Sequence, residues 1–324
     1  MFAFFASALL GQFKALPYPD QDCTGRVVIV SGANTGLGLE AARHFTRLNA
    51  AKVILACRNL DKAEAAKRDI EQTTGRSGVV EAWQLDLAVL DSVKAFADRA
   101  AALERLDILV NNASVLSFEW ALADGHETMV TVNVISTFLL TLRLLPTLRR
   151  TAQRFNVAPH VVIVSSDAAF MTSFPERHAD NILQRLQLNQ GFNDRYNVTK
   201  LLQVMGMRQL AGACDASAKG HVIINTLNPG FCGTELFRSL PLPFSLVIRL
   251  GFALFARSPE TGSRTIMAAA FAGDEMHGRH MTDCVLHQWP PLIAGDEGER
   301  LCDKFWRELI QVLDGIDPGV SDNI

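Results

Sequence analysis

Val27-Val28-Ile29-Val30-Ser31-Gly32-Ala33-Asn34-Thr35-Gly36-Leu37-Gly38 sets the architecture of this chain. Four consecutive branched apolar residues after Arg26 read as a strand buried on both faces, as in a parallel sheet covered by helices. A glycine-rich turn follows at once, and Leu39–Leu48 carries helical spacing. Glycines let the backbone turn sharply and approach a ligand closely, and the free N–H groups at a helix start attract a phosphate. An ordinary tight turn would also use glycine. The strand before and the helix after favour a phosphate cradle instead.

Downstream, strands and helices keep alternating. The strand Lys52–Cys57 ends at Arg58, 20 residues past Gly38. Dinucleotide folds read the adenosine ribose at that position, an acid accepting from a free 2′-hydroxyl and an arginine suiting a 2′-phosphate. Arg58 therefore argues for NADP over NAD, with Asn59 or Lys62 as helpers. Helix Asp61–Thr73 leads to the strand Val79–Leu85 and to Asp86. An acid there can accept from an adenine amino group or cap the next helix, Leu90–Leu103.

The strand Asp107–Val110 runs into Asn111-Asn112-Ala113, short amides able to bond the sheet and leave a small-residue floor beneath a ligand. His126–Arg150 is a long helical pattern with Asn133 inside it, and the apolar run around Asn133 suggests burial rather than a solvent-facing amide. The strand His160–Val164 ends in Ser165-Ser166-Asp167. From there to Tyr196 the chain runs about thirty residues, too long for an ordinary loop, and reads as an insertion contributing to the site.

Asn193–Lys200 comes next. If it opens a helix, Tyr196 and Lys200 stand four residues apart on one face. A free tyrosine has a pKa of about 10, and a nearby fixed cation would lower it by favouring the phenolate. An exposed helix face without chemistry would show the same pair. After the strand His221–Leu227, Asn228-Pro229-Gly230 and Thr234 make a rigid corner suited to a nicotinamide end, or a generic turn. Pro259–Phe271 and Asp303–Leu313 read as helices, with a last strand at Met281–Leu286.

These patterns predict an α/β fold: one doubly wound domain with a parallel sheet over residues 26–324 and a helical C-terminal region covering the substrate side. A 25-residue N-terminal extension precedes it. Hydrophobic residues at 48% and charged residues at 20% describe a globular protein, and a net charge of −3 gives no reason to expect nucleic acid. The six cysteines are scattered without metal-ligand spacing, which predicts neither disulfides nor a metal and points to a reducing, cytoplasmic setting. Met1–Leu10 is apolar but too short to span a bilayer, and reads as a helix resting on the body or as a weak membrane-surface anchor. Leu240–Ala256 is apolar but holds Pro241, Pro243 and Arg249, which argues for a lid, about 234–258, or a pocket wall rather than a membrane span.

In order along the chain, the loop Ser31–Gly38, Asn111-Asn112-Ala113, Asn133, Ser166, Tyr196–Lys200 and Pro229–Thr234 resemble the short-chain dehydrogenase/reductase family, in its compact branch. The resemblance implies a Rossmann domain in which Gly32, Asn34, Thr35, Gly36, Leu37 and Gly38 form the cofactor loop, Asp86 holds adenine and Asn112 lines the nucleotide cleft. Tyr196 would exchange the proton, Ser166 would orient the carbonyl, and Lys200 would bind ribose hydroxyls and lower the tyrosine pKa. Asn133 would hold a water in the relay to Lys200, while Pro229 and Thr234 would serve the nicotinamide end. Ser31 and Ser114 depart from the family's usual threonine and glycine, as does Asp167-Ala168-Ala169-Phe170 after the serines.

Ala56-Cys57-Arg58 and the insertion look like the retinol-dehydrogenase-like group, and Leu16–Pro19 is similar to fungal members that work in secondary metabolism. The implied activity is an NADP(H)-dependent carbonyl reductase or alcohol dehydrogenase acting on a bulky, apolar small molecule, as the apolar stretch Phe231–Phe255 suggests. The alternatives are a redox-neutral dehydratase or cyclase on the same scaffold and a nucleotide-binding protein without turnover. Many relatives pair subunits through long helices, so the resemblance allows a homo-oligomer.

Overall fold

In the computed structural model, which describes residues 11–234, 236 and 255–324, Val27–Ser31 forms β1 and is buried from Val28 onward. The chain then alternates through α1 (Gly36–Arg47), β2 (Lys52–Cys57), α2 (Leu60–Thr74), β3 (Val80–Gln84), α3 (Leu90–Ala101) and β4 (Ile108–Asn111). It continues through α4 (Ser136–Phe155), β5 (His160–Val164), α5 (Arg195–Ala216), β6 (Ile223–Asn228) and α6 (Pro259–Ala270). The hairpin β7 (His280–Thr282) and β8 (Val285–His287) and the helix α7 (Gly295–Ile316) complete it.

The sheet order is β3-β2-β1-β4-β5-β6-β7-β8, with only β8 antiparallel. The strand order reverses between β1 and β4, and open sheets of this kind bind ligands outside the carboxyl ends of the strands at that point. This is the doubly wound α/β fold expected from the alternation.

Successive residues of β1 feed opposite layers, as the two-residue strand period requires. Ile29 packs with Leu109, Ile163, Phe138 of α4, Leu201 of α5 and Phe305 of α7. Val28 and Val30 pack with Phe45 of α1 and Ile266 of α6 on the other side. Each such side chain contributes roughly 1.5–3 kcal/mol on burial. That outweighs a cap, so α5 sits firmly although its N-terminus has no side-chain cap.

Three elements differ from the sequence expectation. The strand expected at Met281–Leu286 is a hairpin: Asp283 and Cys284 turn the chain at φ 53° and 62°, the paired left-handed conformation of a tight hairpin turn. Its stabiliser is distant, Arg257 Nη2 lying 2.7 Å from Asp283 Oδ1. The helix expected over His126–Arg150 is instead a two-residue strand, His126–Glu127, paired with Leu122–Ala123, then one helical turn at Thr128–Val130, a π turn at Thr131–Ile135 and α4. Thr128–Phe155 is long and apolar enough to cross a membrane, yet it is almost wholly buried inside this fold. α7 starts at Gly295, well before the expected Asp303, with Asp296 and Glu297 in its first turn, where carboxylates favour the helix dipole.

Met1–Leu10 and nearly all of the lid expected at about 234–258, including most of Leu240–Ala256, lie outside the described residues. The following part of the N-terminal extension lies along α1 and α6. The Tyr18 ring is sandwiched by Arg47 and Arg264 at 4.3 and 5.1 Å, and Arg264 Nη1 donates to Leu16 O at 2.9 Å. Gln12 Oε1 accepts from Phe231 N at 3.2 Å, so the extension reaches the corner after β6.

Candidate active site

The glycine loop is shaped by close approach. Gly32 and Gly36 have φ of +66° and +59°, and a Cβ on Gly32 would stand 3.0 Å from Ala113 Cα. A Cβ on Gly38 would meet Asn112 Nδ2 at 2.5 Å and Gly32 O at 2.6 Å. The loop therefore lies directly against the turn after β4. Ser31 Oγ fixes that turn by accepting from the N–H groups of Asn112 and Ala113, both at 3.0 Å, while Asn112 Nδ2 donates to Ser31 O at 2.9 Å. Ser31 thus ties the mouth of β1 to that of β4, a role that its small size hid in the sequence.

Thr35 is extended at the start of α1 and makes no side-chain cap, which leaves the first helical N–H groups for an anion. The backbone of Ala33 and Asn34 bonds the Cys57 thiol at the end of β2. Leu37 packs on α6, its Cδ2 lying 2.7 Å from where a Cβ on Gly262 would be, and Thr234 Cγ2 lies 3.5 Å from the corresponding point on Gly36. Pro229 follows β6, and its carbonyl accepts from Arg257 Nη1 at 3.4 Å.

At the other end of the cleft Arg58 is exposed at the end of β2. Asn59 Oδ1 accepts from Lys62 N at 2.8 Å and caps α2, so its amide would assist Arg58 only through Nδ2. Asp86 Oδ1 accepts from Ala88 N at 3.0 Å, and Asp124 Oδ2 bonds Leu90 N at 2.6 Å. Asp86 therefore closes the turn before α3 and does not cap the helix itself.

α5 carries Tyr196 in its first turn and Lys200 one turn later. Burial raises the Tyr196 pKa above its ordinary value, against the lowering effect of side-chain hydrogen bonds with Ser166 and Ser114. Lys200 Nζ donates to Val164 O at 2.9 Å and Gln203 Oε1 at 3.1 Å, and burial lowers its pKa to about 7. The amine lies 5.7 Å from the Tyr196 ring centroid. The expected lowering of the phenol pKa by Lys200 is therefore not found. The amine is aimed at the end of β5, and burial of the phenol itself sets the direction of its shift, toward the protonated state a general acid needs.

Of the two serines, Ser165 is occupied, its hydroxyl donating to Lys200 O at 2.9 Å, while Ser166 is the one against the phenol. Asn133 is fully buried. Its Oδ1 accepts from Ser114 Oγ at 3.0 Å and Val115 N at 2.8 Å, and its Nδ2 donates to Val115 O and Thr199 Oγ1, both at 3.0 Å. Its main-chain carbonyl accepts from Gln203 Nε2 at 2.7 Å. Ser114, which stands where the family usually has glycine, joins Asn133 to the phenol. No spacing signal marked it or Gln203.

The insertion after β5 is held by Arg195, the residue before Tyr196. Its guanidinium is fully buried and lies 3.5 Å from the equally buried Glu127. It also donates to the carbonyls of Leu186, Leu188 and Gln190. Glu308 of α7 caps the short helix Ile182–Leu186 from the far side, its Oε2 accepting from Ile182 N at 2.7 Å. Residues 182–190 of the insertion are therefore pinned from two sides, by α7 and by the residue before the tyrosine.

A glycine cradle at a strand-order reversal, next to a half-buried Ser166–Tyr196 pair backed by the buried Lys200, defines a nicotinamide-dependent enzyme. Residues 26–176 match the family model described as short chain dehydrogenase. The short chain dehydrogenase/reductase dmxR8 of Cryptosporiopsis sp. is 40% identical over 319 residues, 96% of this chain and 97% of that protein. The short chain dehydrogenase atnD of Emericella nidulans is 45% identical over 307 residues, 93% and 96% of the two chains. Among solved structures, L-sorbose reductase from Gluconobacter frateurii complexed with NADPH and L-sorbose has a TM-score of 0.60 at 21% identity, covering 82% of this chain and 97% of that one. The Pseudomonas aeruginosa RhlG/NADP active-site complex has a TM-score of 0.60 at 25% identity, with the same two coverages of 82% and 97%.

The chain belongs to the short-chain dehydrogenase/reductase family. It is an oxidoreductase on a Rossmann-like sheet.

Proposed function

We propose that this enzyme moves hydride between NADP(H) and a carbonyl or alcohol of a bulky apolar small molecule, running as a reductase in cells. The observation that carries this reading is the Tyr196 phenol, hydrogen-bonded with Ser166 and Ser114 and one helical turn before Lys200. In reduction Tyr196 gives its proton to the carbonyl oxygen, Ser166 polarises that oxygen, and Lys200 with Asn133 supports the acid from below. The cofactor, when bound, supplies the hydride. Gly32, Asn34, Thr35, Gly36, Leu37 and Gly38 would hold its pyrophosphate, Asp86 and Asn112 the adenosine side, and Pro229 and Thr234 the nicotinamide side. NADP-bound structural neighbours support the cofactor choice, and a place in secondary metabolism rests on the likeness of Leu16–Pro19 to fungal family members.

The test is purified protein with NADPH and a panel of hydrophobic ketones. Oxidation of one NADPH per alcohol formed is expected. Product formed without cofactor consumption would favour a redox-neutral step, and tight NADPH binding with no product from any ketone would favour a binding protein.

Arg58 tests the cofactor choice separately. Arg58→Asp is expected to weaken NADPH binding by roughly 10- to 100-fold, the loss of a charge-assisted phosphate contact, and to spare NADH. Equal effects in titrations of both cofactors would remove Arg58 from phosphate recognition.

A further inference from the structure

Lys200 has a buried neighbour that this chemistry leaves unused. Gln203 is 1% exposed and stands three residues after Lys200 on α5. A buried glutamine gives up much rotamer freedom and has to satisfy both ends of its amide. Here both are satisfied by the site itself. Oε1 accepts from Lys200 Nζ at 3.1 Å, and Nε2 donates to Asn133 O at 2.7 Å. The second partner lies in the π turn Thr131–Ile135, a local widening of the helix that recurs at functional positions. One amide therefore braces the lysine of α5 against the segment leading into α4.

A buried amine needs acceptors to stay charged. Lys200 has two, Val164 O and Gln203 Oε1. The groups packed about it are Tyr196 and Thr199 on α5, Val164 and Ser165 at the end of β5, and the Asn133 turn. None of these is charged at neutral pH, and burial is the only cause that moves the amine's pKa. No carboxylate among the described residues replaces what Gln203 provides.

We propose that Gln203 is a positioning residue for Lys200: braced on the Asn133 carbonyl, its amide aims the amine at the mouth of β5 and holds it as an ammonium. This rests on the assignment of Lys200 to the site. A hydrogen bond to a charged form favours that form, and an adjacent carboxylate favours it further. Gln203→Leu should therefore lower the Lys200 titration midpoint by about one pH unit, and Gln203→Glu should raise it by a similar amount.

The experiment uses full-length protein with lysine labelled with ¹³C at Cε. The Lys200 resonance is identified by its loss in Lys200→Met and followed by NMR against pH. The alkaline limb of kcat for NADPH-dependent ketone reduction should shift in the same order as the midpoints, with KM for NADPH moving less than kcat. The proposal is overturned if either variant keeps the wild-type midpoint, or if both move it in one direction, as a general loosening of packing would. Should Gln203→Leu not fold, the near-isosteric Gln203→Glu carries the test alone. If the midpoints move as expected while wild type reduces no ketone, the reductase reading fails and the assignment of Gln203 stands.

Discussion

Tyr196→Phe loses roughly 10²- to 10⁴-fold in kcat, the range expected when a positioned general acid is deleted, while NADPH binding stays at the wild-type level. The substitution removes only the oxygen that bonds Ser166 and Ser114, from a half-buried ring, so the fold keeps its packing. It leaves a developing alkoxide without a proton donor. Steady-state kinetics on a ketone that wild type reduces, together with a cofactor titration, check both halves. Retained turnover would assign the proton to another group. A matched loss of NADPH affinity would show that the phenol mainly serves binding.

Arg195→Met is expected to have the largest effect on stability, about 3–5 kcal/mol, because it leaves a buried partner uncompensated. Glu127 is fully buried, and burial already raises its pKa against the hydrogen bonds from Met129 N and Val130 N and the neighbouring Arg195. Without the guanidinium, that carboxylate loses its cation. The carbonyls of Leu186, Leu188 and Gln190 lose their shared donor too. Urea unfolding measures the loss, and adding Glu127→Gln should recover part of it, since the two sites are coupled. A loss below about 1 kcal/mol would place the pair among the weak ion pairs typical of exposed surfaces.

What could be read from the sequence followed from how local each signal is. β1 and its glycine loop are visible because a continuous branched-apolar run, a glycine turn and a helix sit side by side. Tyr196 and Lys200 are visible because helical spacing alone aligns them. Ser31, Ser114 and Gln203 are small or common polar residues whose meaning comes from partners on other strands and helices. The π turn at Thr131–Ile135 hid because the surrounding segment is apolar on every side, so the added residue left no break in the pattern. The turn at Asp283-Cys284 lacks an asparagine-glycine signal and depends on Arg257, which is distant in sequence. Arg195 carries no local signal, and only the fold shows that it gathers the carbonyls of a loop with no periodicity.

The central claim is that hydride passes between the nicotinamide and a carbonyl while Tyr196 handles the proton. NADPH carrying deuterium at nicotinamide C4, incubated with a reducible ketone and followed by mass spectrometry of the alcohol, tests it most directly. The account predicts one deuterium on the carbinol carbon with wild type and almost no labelled alcohol with Tyr196→Phe in the same time. Alcohol free of deuterium, or equal labelling by the two proteins, would contradict it.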